Sequence, residues 1–235
     1  MRKYPVLFVL LFQSITMTAQ DSVQVSLGAD VVSHYIWRGQ DLGHVSVQPT
    51  LGVGYKGVSL SLWGSAGISK HEDPYEIDVT LDYTWKGLTI GLTDYWSDDG
   101  NDHDTKYFDY AAHTTSHTLE AHLCYGFGWA SLGWYINFAG YDGVNKDEKR
   151  AYSSYLEANV PFVLGSCEWN ATIGAVPYAT TYYDTNGFAI TSLSLRATYP
   201  LAVSKTFSLP LFAEVHANPR QEKMWFLFGM TISPW

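Results

Sequence analysis

Charged side chains are scarce in this chain of 235 residues. They make up 16% of it, against about a quarter in an ordinary soluble domain, which argues against a surface solvated all round. Basic residues are the scarcer sign, 14 Lys and Arg against 23 Asp and Glu, for a net charge of −9. That balance excludes a basic nucleic-acid-binding face. The 2 cysteines, Cys124 and Cys167, are too few for a disulfide scaffold. Alternation also puts them on opposite faces of strands that are not neighbours, so no bridge is expected. Past the N-terminus no stretch is apolar for the eighteen or so residues that a transmembrane helix needs. Linkers, low-complexity tracts and helical periodicity are also lacking, which leaves one domain built from strands.

Aromatic residues, by contrast, are plentiful: they reach 16%, with 17 Tyr and 9 Trp. The N-terminus, MRKYPVLFVLLFQSITMTAQ, has Arg2 and Lys3, an apolar run through Phe12 and small residues to Ala19. This is the layout of a secretory signal peptide. It predicts a signal over residues 1–19, cut after Ala19, and a mature domain over 20–235.

The mature chain alternates. Val23, Val25, Leu27, Ala29 and Val31 oppose Gln24, Ser26, Gly28 and Asp30, as successive side chains of a strand point to opposite faces. Tyr35 and Trp37 continue the apolar parity, His34 and Arg38 the polar one. The pattern recurs in about twelve segments of roughly nine to twelve residues, the length of a tilted strand that crosses a bilayer. Short turns are expected at Lys56-Gly57, Lys86-Gly87, Gly126–Trp129, Val163–Ser166 and Pro200–Lys205. Longer polar connections are expected near Arg38–His44, Lys70–Pro74, Asp98–Thr105, Gly140–Arg150, Pro177–Gly187 and Asn218–Lys223. Short turns at one end and long loops at the other suit an all-β fold: a transmembrane, antiparallel up-and-down barrel of about twelve strands in a bacterial outer membrane. Its apolar face would meet outer-membrane lipid, its polar face a lumen, and rings at strand ends, Tyr35 and Trp37 among them, an interfacial girdle. A soluble sandwich or lipocalin-like barrel would reverse the faces. It would need an oversized apolar core that these inward residues do not supply.

DVVSHYIWRGQDLG, followed by VQPTLGVGYKGVSLSLWGSAG, resembles the TorF-like group of outer-membrane porins. In that group a strand ends in Ser-x-Tyr-x-x-Arg-Gly, and a Gln-Pro strand and a Trp-Gly-Ser strand follow. The matching residues are Ser33, Tyr35, Arg38, Gly39, Gln48, Pro49, Trp63, Gly64 and Ser65. The resemblance is sharp over Ala29–Ala66 and architectural beyond. It implies a small barrel with a pore role, and Trp235 as the terminal aromatic read by barrel-assembly machinery. It implies no substrate and no site residues.

Alternation puts Asp30, Glu76, Asp78, Asp82, Glu120, Glu157, Glu168 and Glu214 on the lumen face, with Arg38, Lys56, Lys86 and Arg196 as its bases. Trp63, Tyr95, Tyr135, Tyr155, Phe212 and Trp225 share that face. They are placed either to stack a ring-bearing solute or to fill the barrel. Two readings of the charges stand side by side. In one, the acids line an open channel for small polar or cationic solutes. In the other, Arg38 and Arg196 neutralise them in a plugged lumen, which leaves a structural or surface-interaction barrel. Glu76, Asp78 and Asp82 form a ladder on one strand, and the excess of acids over bases favours the open pore. No cofactor and no metal site is expected. The loop DDGNDHDTK (Asp98–Lys106) departs from calcium-loop spacing and reads as a solvated loop. HTTSHTLE raises a lipid-acting enzyme. In a regular strand, however, His113, Thr115 and His117 face outward while Ser116 faces inward, out of hydrogen-bond reach. His113 and His117 would lie about 13 Å apart, too far to share a zinc ion. The expectation is therefore a non-enzyme.

Overall fold

The structure, a computed structural model, describes residues 22–68, 75–98, 105–204 and 207–233. The signal segment, Trp235, Lys205 and most of the Asp98–Thr105 loop lie outside the described residues. Chain order gives β1 (Gln24–Val32), β2 (Tyr35–Trp37), β3 (Gln40–Gly43), β4 (Ser46–Tyr55), β5 (Val58–Gly67), β6 (Tyr75–Trp85) and β7 (Leu88–Asp98). Then follow β8 (His117–Gly126), β9 (Ser131–Gly140), β10 (Ser154–Leu164), β11 (Cys167–Val176), β12 (Ala189–Ala202), β13 (Ser208–Asn218) and β14 (Lys223–Ile232). Twelve of these, β1 and β4 to β14, form one closed antiparallel barrel in which each strand pairs with its neighbours in sequence. Closure joins Ala29–Val32 of β1 to Gly229–Ile232 of β14. Backbone groups paired across that seam escape the several kcal/mol that an unpaired group costs in hydrocarbon.

The two faces are inverted relative to a soluble protein. Every wall strand presents exposed apolar side chains outward, such as Leu60 at 46%, Leu81 at 50% and Phe226 at 66% exposed. The most buried side chains are largely polar and point inward, among them Glu120, Asn137, Ser192 and His216. Lys56-Gly57 and Lys86-Gly87 close their hairpins with both residues at positive φ, 49° and 88° in the first, 47° and 85° in the second. Turns of this hand match the twist of the flanking strands, and glycine adopts them without a Cβ penalty.

Four expectations need correction. Lys56 and Lys86 do not face the lumen. As turn residues they leave the alternation, and their ammonium groups lie over the outward rings of Tyr55 and Trp85, at 5.2 and 4.8 Å from the centroids. Pro200 lies inside β12 opposite Pro210, so the fifth short turn falls at 203–207. The connection after Asn218 is only 219–222, because β13 and β14 pair to their very ends, Asn218 with Lys223. Most consequential, the first strand does not run on through Trp37. It ends at Val32, and the chain turns inward to form the hairpin β2–β3. Tyr35 and Trp37 therefore sit inside the barrel and not in an interfacial girdle.

Candidate functional site: a cross-lumen hairpin and the cavity beside it

The hairpin turns at Arg38-Gly39, where φ is 50° and 82°, the same left-handed pair as in the two Lys-Gly turns. Its tip reaches the far wall. A Cβ on Gly39 would lie 1.8 Å from the carbonyl oxygen of Thr191 on β12, so only glycine fits. The Asn218 side-chain amide donates to the Gly39 carbonyl at 2.9 Å. Near the hairpin's base, Tyr35 packs its ring 5.5 Å from that of Trp63 on β5 and donates its hydroxyl to Glu76 on β6. The hairpin thus spans the lumen from β5 and β6 to β12 and β13.

Arg38 locks it there. Nη1 and Nη2 donate to the two Glu120 carboxylate oxygens at 2.5 and 2.9 Å, and Nη1 also reaches the Tyr183 hydroxyl at 2.8 Å. Two parallel charge-assisted bonds fix orientation as well as energy. The guanidinium lies against the rings of Trp37, Tyr135 and Tyr155, 4.4, 4.2 and 4.7 Å from their centroids. Tyr95 donates to Glu120 at 2.9 Å. Tyr183 comes from a short 3-10 turn, Thr181–Tyr183, in the β11–β12 connection, which also folds inward. Arg38 and Glu120 are both buried. Among the lumen candidates, Glu120, Tyr95, Tyr135 and Tyr155 therefore meet Arg38, which reaches them on the hairpin and not by continuing β1.

Most of the remaining candidates lie along a cavity of about 610 Å³ that continues from the hairpin toward the short-turn end. Asp30, Trp63, Asp78, Asp82, Arg196 and Glu214 line it, with many Ser and Thr hydroxyls. Most of its charges have partners. Thr231 donates to Asp30 at 2.6 Å, Asp82 bonds His122 at 2.8 Å, and Arg196 donates to Glu214 at 2.6 Å while His216 holds the other Glu214 oxygen at 2.9 Å. The Phe212 ring lies 4.3 Å from the Arg196 guanidinium. Glu157 accepts from Asn159 at 2.8 Å. Glu168 sits exposed near the β10–β11 turn, and Trp225 is set apart against His216, 6.3 Å between centroids. Cys124 and Cys167 are both free thiols.

No family profile matches the chain, and no curated protein does either. Solved structures of similar architecture exist. The NanC porin is 11% identical, with 89% of this chain and 98% of that one covered and a TM-score of 0.44. An outer membrane channel from Pseudomonas putida F1 is 11% identical over 93% and 98%, at 0.41. The outer membrane protein opdK from Pseudomonas aeruginosa is 14% identical over 88% and 60%, at 0.36. Values this low define no family. None of these comparisons confirms the TorF-like resemblance.

Sequence reasoning missed His122, Tyr183 and His216, which complete the ion pairs from other strands and from a loop. It also misplaced the His113–His117 pair. β8 begins only at His117, and His113 to Ser116 belong to the preceding loop. That loop folds back on the outer wall. His117 bonds Asp94 through Nδ1 at 2.7 Å and the Tyr107 carbonyl through Nε2 at 2.5 Å, and Tyr110 stacks on it at 4.0 Å. Tyr110 also donates to the second Asp94 oxygen at 2.9 Å. Loss of water around the hydroxyl, and then this bond, push the Tyr110 phenol up to about 12. In the same loop the Ala111 amide and the Thr114 hydroxyl hold the Asp109 carboxyl below its usual range. With both imidazole nitrogens of His117 engaged, it has no free nitrogen to activate a nucleophile.

Proposed function

We propose that this chain is a porin-like channel of the bacterial outer membrane, passing small polar or cationic solutes, with the β2–β3 hairpin closing its long-loop end in the state described. Export through the N-terminal segment, removed after Ala19, belongs to the same reading, as does a periplasmic position for the five short turns. The observation that carries it is the inversion of the barrel: exposed apolar residues on all twelve wall strands around a polar interior that holds a 610 Å³ cavity. An apolar belt of that extent on a water-exposed protein would be an aggregation surface, whereas in lipid it is the solvated face.

A second reading has its own support. A hairpin that crosses the lumen and is held by a buried ion pair also suits a permanently closed barrel with a structural or surface role. Planar-bilayer recordings of the purified protein separate the two, with a variant in which residues 34–43 are replaced by a short Gly-Ser link. The channel reading expects small or rare conductance steps from the natural chain and large, frequent ones from the variant. If the variant folds to a heat-modifiable barrel and is silent, the closed reading stands and the channel falls.

A further inference from the structure

Asp78 stands in an unusual setting. Its cross-strand partners on both sides are aromatic: Trp63 on β5 and Tyr95 on β7. The hairpin adds two more rings, Tyr35 at 5.5 Å from Trp63 and Trp37 at 5.6 Å from Tyr95. All five residues line the 610 Å³ cavity. The polar groups around Asp78 are already engaged. Glu76 takes the Tyr35 hydroxyl, Thr80 bonds Thr93 at 3.0 Å, and Tyr95 donates to Glu120. Asp78 Oδ1 is buried and has no hydrogen-bond partner. A buried acceptor left unmatched is costly, and native structures seldom keep one without a use.

We infer that Trp63, Asp78, Tyr95, Tyr35 and Trp37 form a binding subsite for an organic ammonium group. The chemistry is specific to that class. Ring faces carry negative charge density and attract a cation, a carboxylate between them sets the sign, and a primary or partly methylated ammonium supplies the N–H that Oδ1 lacks. An anion would meet Asp78 and Glu76. A neutral apolar group would leave Oδ1 unsatisfied. A small hydrated metal ion would gain oxygen ligands from Asp78 but little from four rings, since it prefers several oxygens. The guanidinium groups of Arg38 and Arg196 are already engaged, Arg38 by Glu120 with Tyr95 beside it and Arg196 by Glu214, so neither fills the subsite. The inference deepens the channel reading by naming a solute class, but it needs only a cavity reachable from the short-turn end.

The test is calorimetric titration of the detergent-solubilised protein with butylammonium and with 1-butanol, its uncharged isostere. Butylammonium is expected to bind at least about tenfold more tightly, the equivalent of about 1.4 kcal/mol. Asp78→Asn is expected to remove that preference and Trp63→Leu to weaken it. Asp82→Asn, whose carboxylate belongs to His122, should leave affinity within about twofold. All variants are first checked for the heat-modifiable migration of a folded barrel. Equal binding of the two probes, an unchanged Asp78→Asn variant, or displacement of butylammonium by equimolar potassium would overturn the subsite. Conductance is read separately. A conducting barrel that ignores butylammonium loses only the subsite, and a silent barrel that binds it loses only the channel.

Discussion

The two ends of this barrel solve the same problem differently. At the long-loop end the interior is filled: a hairpin crosses it, Arg38 and Glu120 pair out of water, and the rings of Trp37, Tyr135, Tyr155 and Tyr183 close around them. At the short-turn end nothing folds inward among the described residues. Hydroxyls and carboxylates line a cavity, and the ion pairs there link one wall strand to another. A buried pair is strong only while both partners stay. A pair beside a wet cavity is screened and worth far less. The filled end should therefore be brittle and the hollow end tolerant, and substitutions at each should differ in size and in kind.

The largest effect is expected from Gly39→Val. A Cβ there meets the Thr191 carbonyl at 1.8 Å at a φ of 82°, and a left-handed backbone alone costs an L residue about 1–2 kcal/mol. The hairpin cannot seat, while the wall strands are untouched. Single-channel conductance should rise clearly above the natural chain, with heat-modifiable migration retained. Unchanged conductance in a folded variant would show that the hairpin is not the barrier.

Arg38→Met comes next. It leaves the buried Glu120 carboxylate without its cation, though still accepting from Tyr95, and breaking a buried pair from one side costs about 3–5 kcal/mol. Adding Glu120→Leu removes the orphaned charge and should recover most of the loss in thermal unfolding of the purified protein. If the single and double variants unfold alike, the pair does not hold the hairpin.

How much of this was legible beforehand divides along the same line. Alternation, strand length and the Lys-Gly turns reveal the wall, because side-chain parity is a local property. Lumen-facing acids are found the same way. The hairpin is not, because β2 itself alternates and so reads as a prolongation of β1. A signal was present: Arg38-Gly39 repeats the basic-glycine pair of Lys56-Gly57 and Lys86-Gly87, and all three have both residues at positive φ. The partner of Arg38 had no such signal. Parity says which face a residue takes, not its angle round the barrel, and Glu120 lies 82 residues away. For the same reason Asp82 could not be matched to His122, nor Arg196 and His216 to one Glu214.

At the hollow end the effects should be smaller. Asp82→Asn leaves His122 with a neutral acceptor at 2.8 Å, beside a cavity that admits water. Stability should change by no more than about 1 kcal/mol, within the range of a partly solvated pair. With the hairpin removed, Asp78→Asn together with Asp82→Asn should lower cation-over-anion selectivity, read from the reversal potential in a salt gradient. Unchanged selectivity in a conducting variant would mean that the β6 ladder does not line the path.

The smallest effect concerns the outer wall at the filled end, where the loop before β8 lies over Asp94 and His117. Tyr110 donates to Asp94 at 2.9 Å, and its phenol titrates near 12 in the folded chain against about 10 in an unfolded one. A phenol raised on folding contributes stability that is complete below about pH 10 and is lost as pH climbs toward 12. The neutral hydroxyl is what donates, and the phenolate would face Asp94 as a like charge. Tyrosinate absorbance at 295 nm, taken as the natural chain minus Tyr110→Phe, should therefore show one late-titrating group with a midpoint near 12. A difference spectrum that titrates near 10 would mean that the hydroxyl is solvated and the loop does not rest on the wall. The Tyr110→Phe barrel should conduct as the natural chain does, since nothing in this contact reaches the lumen.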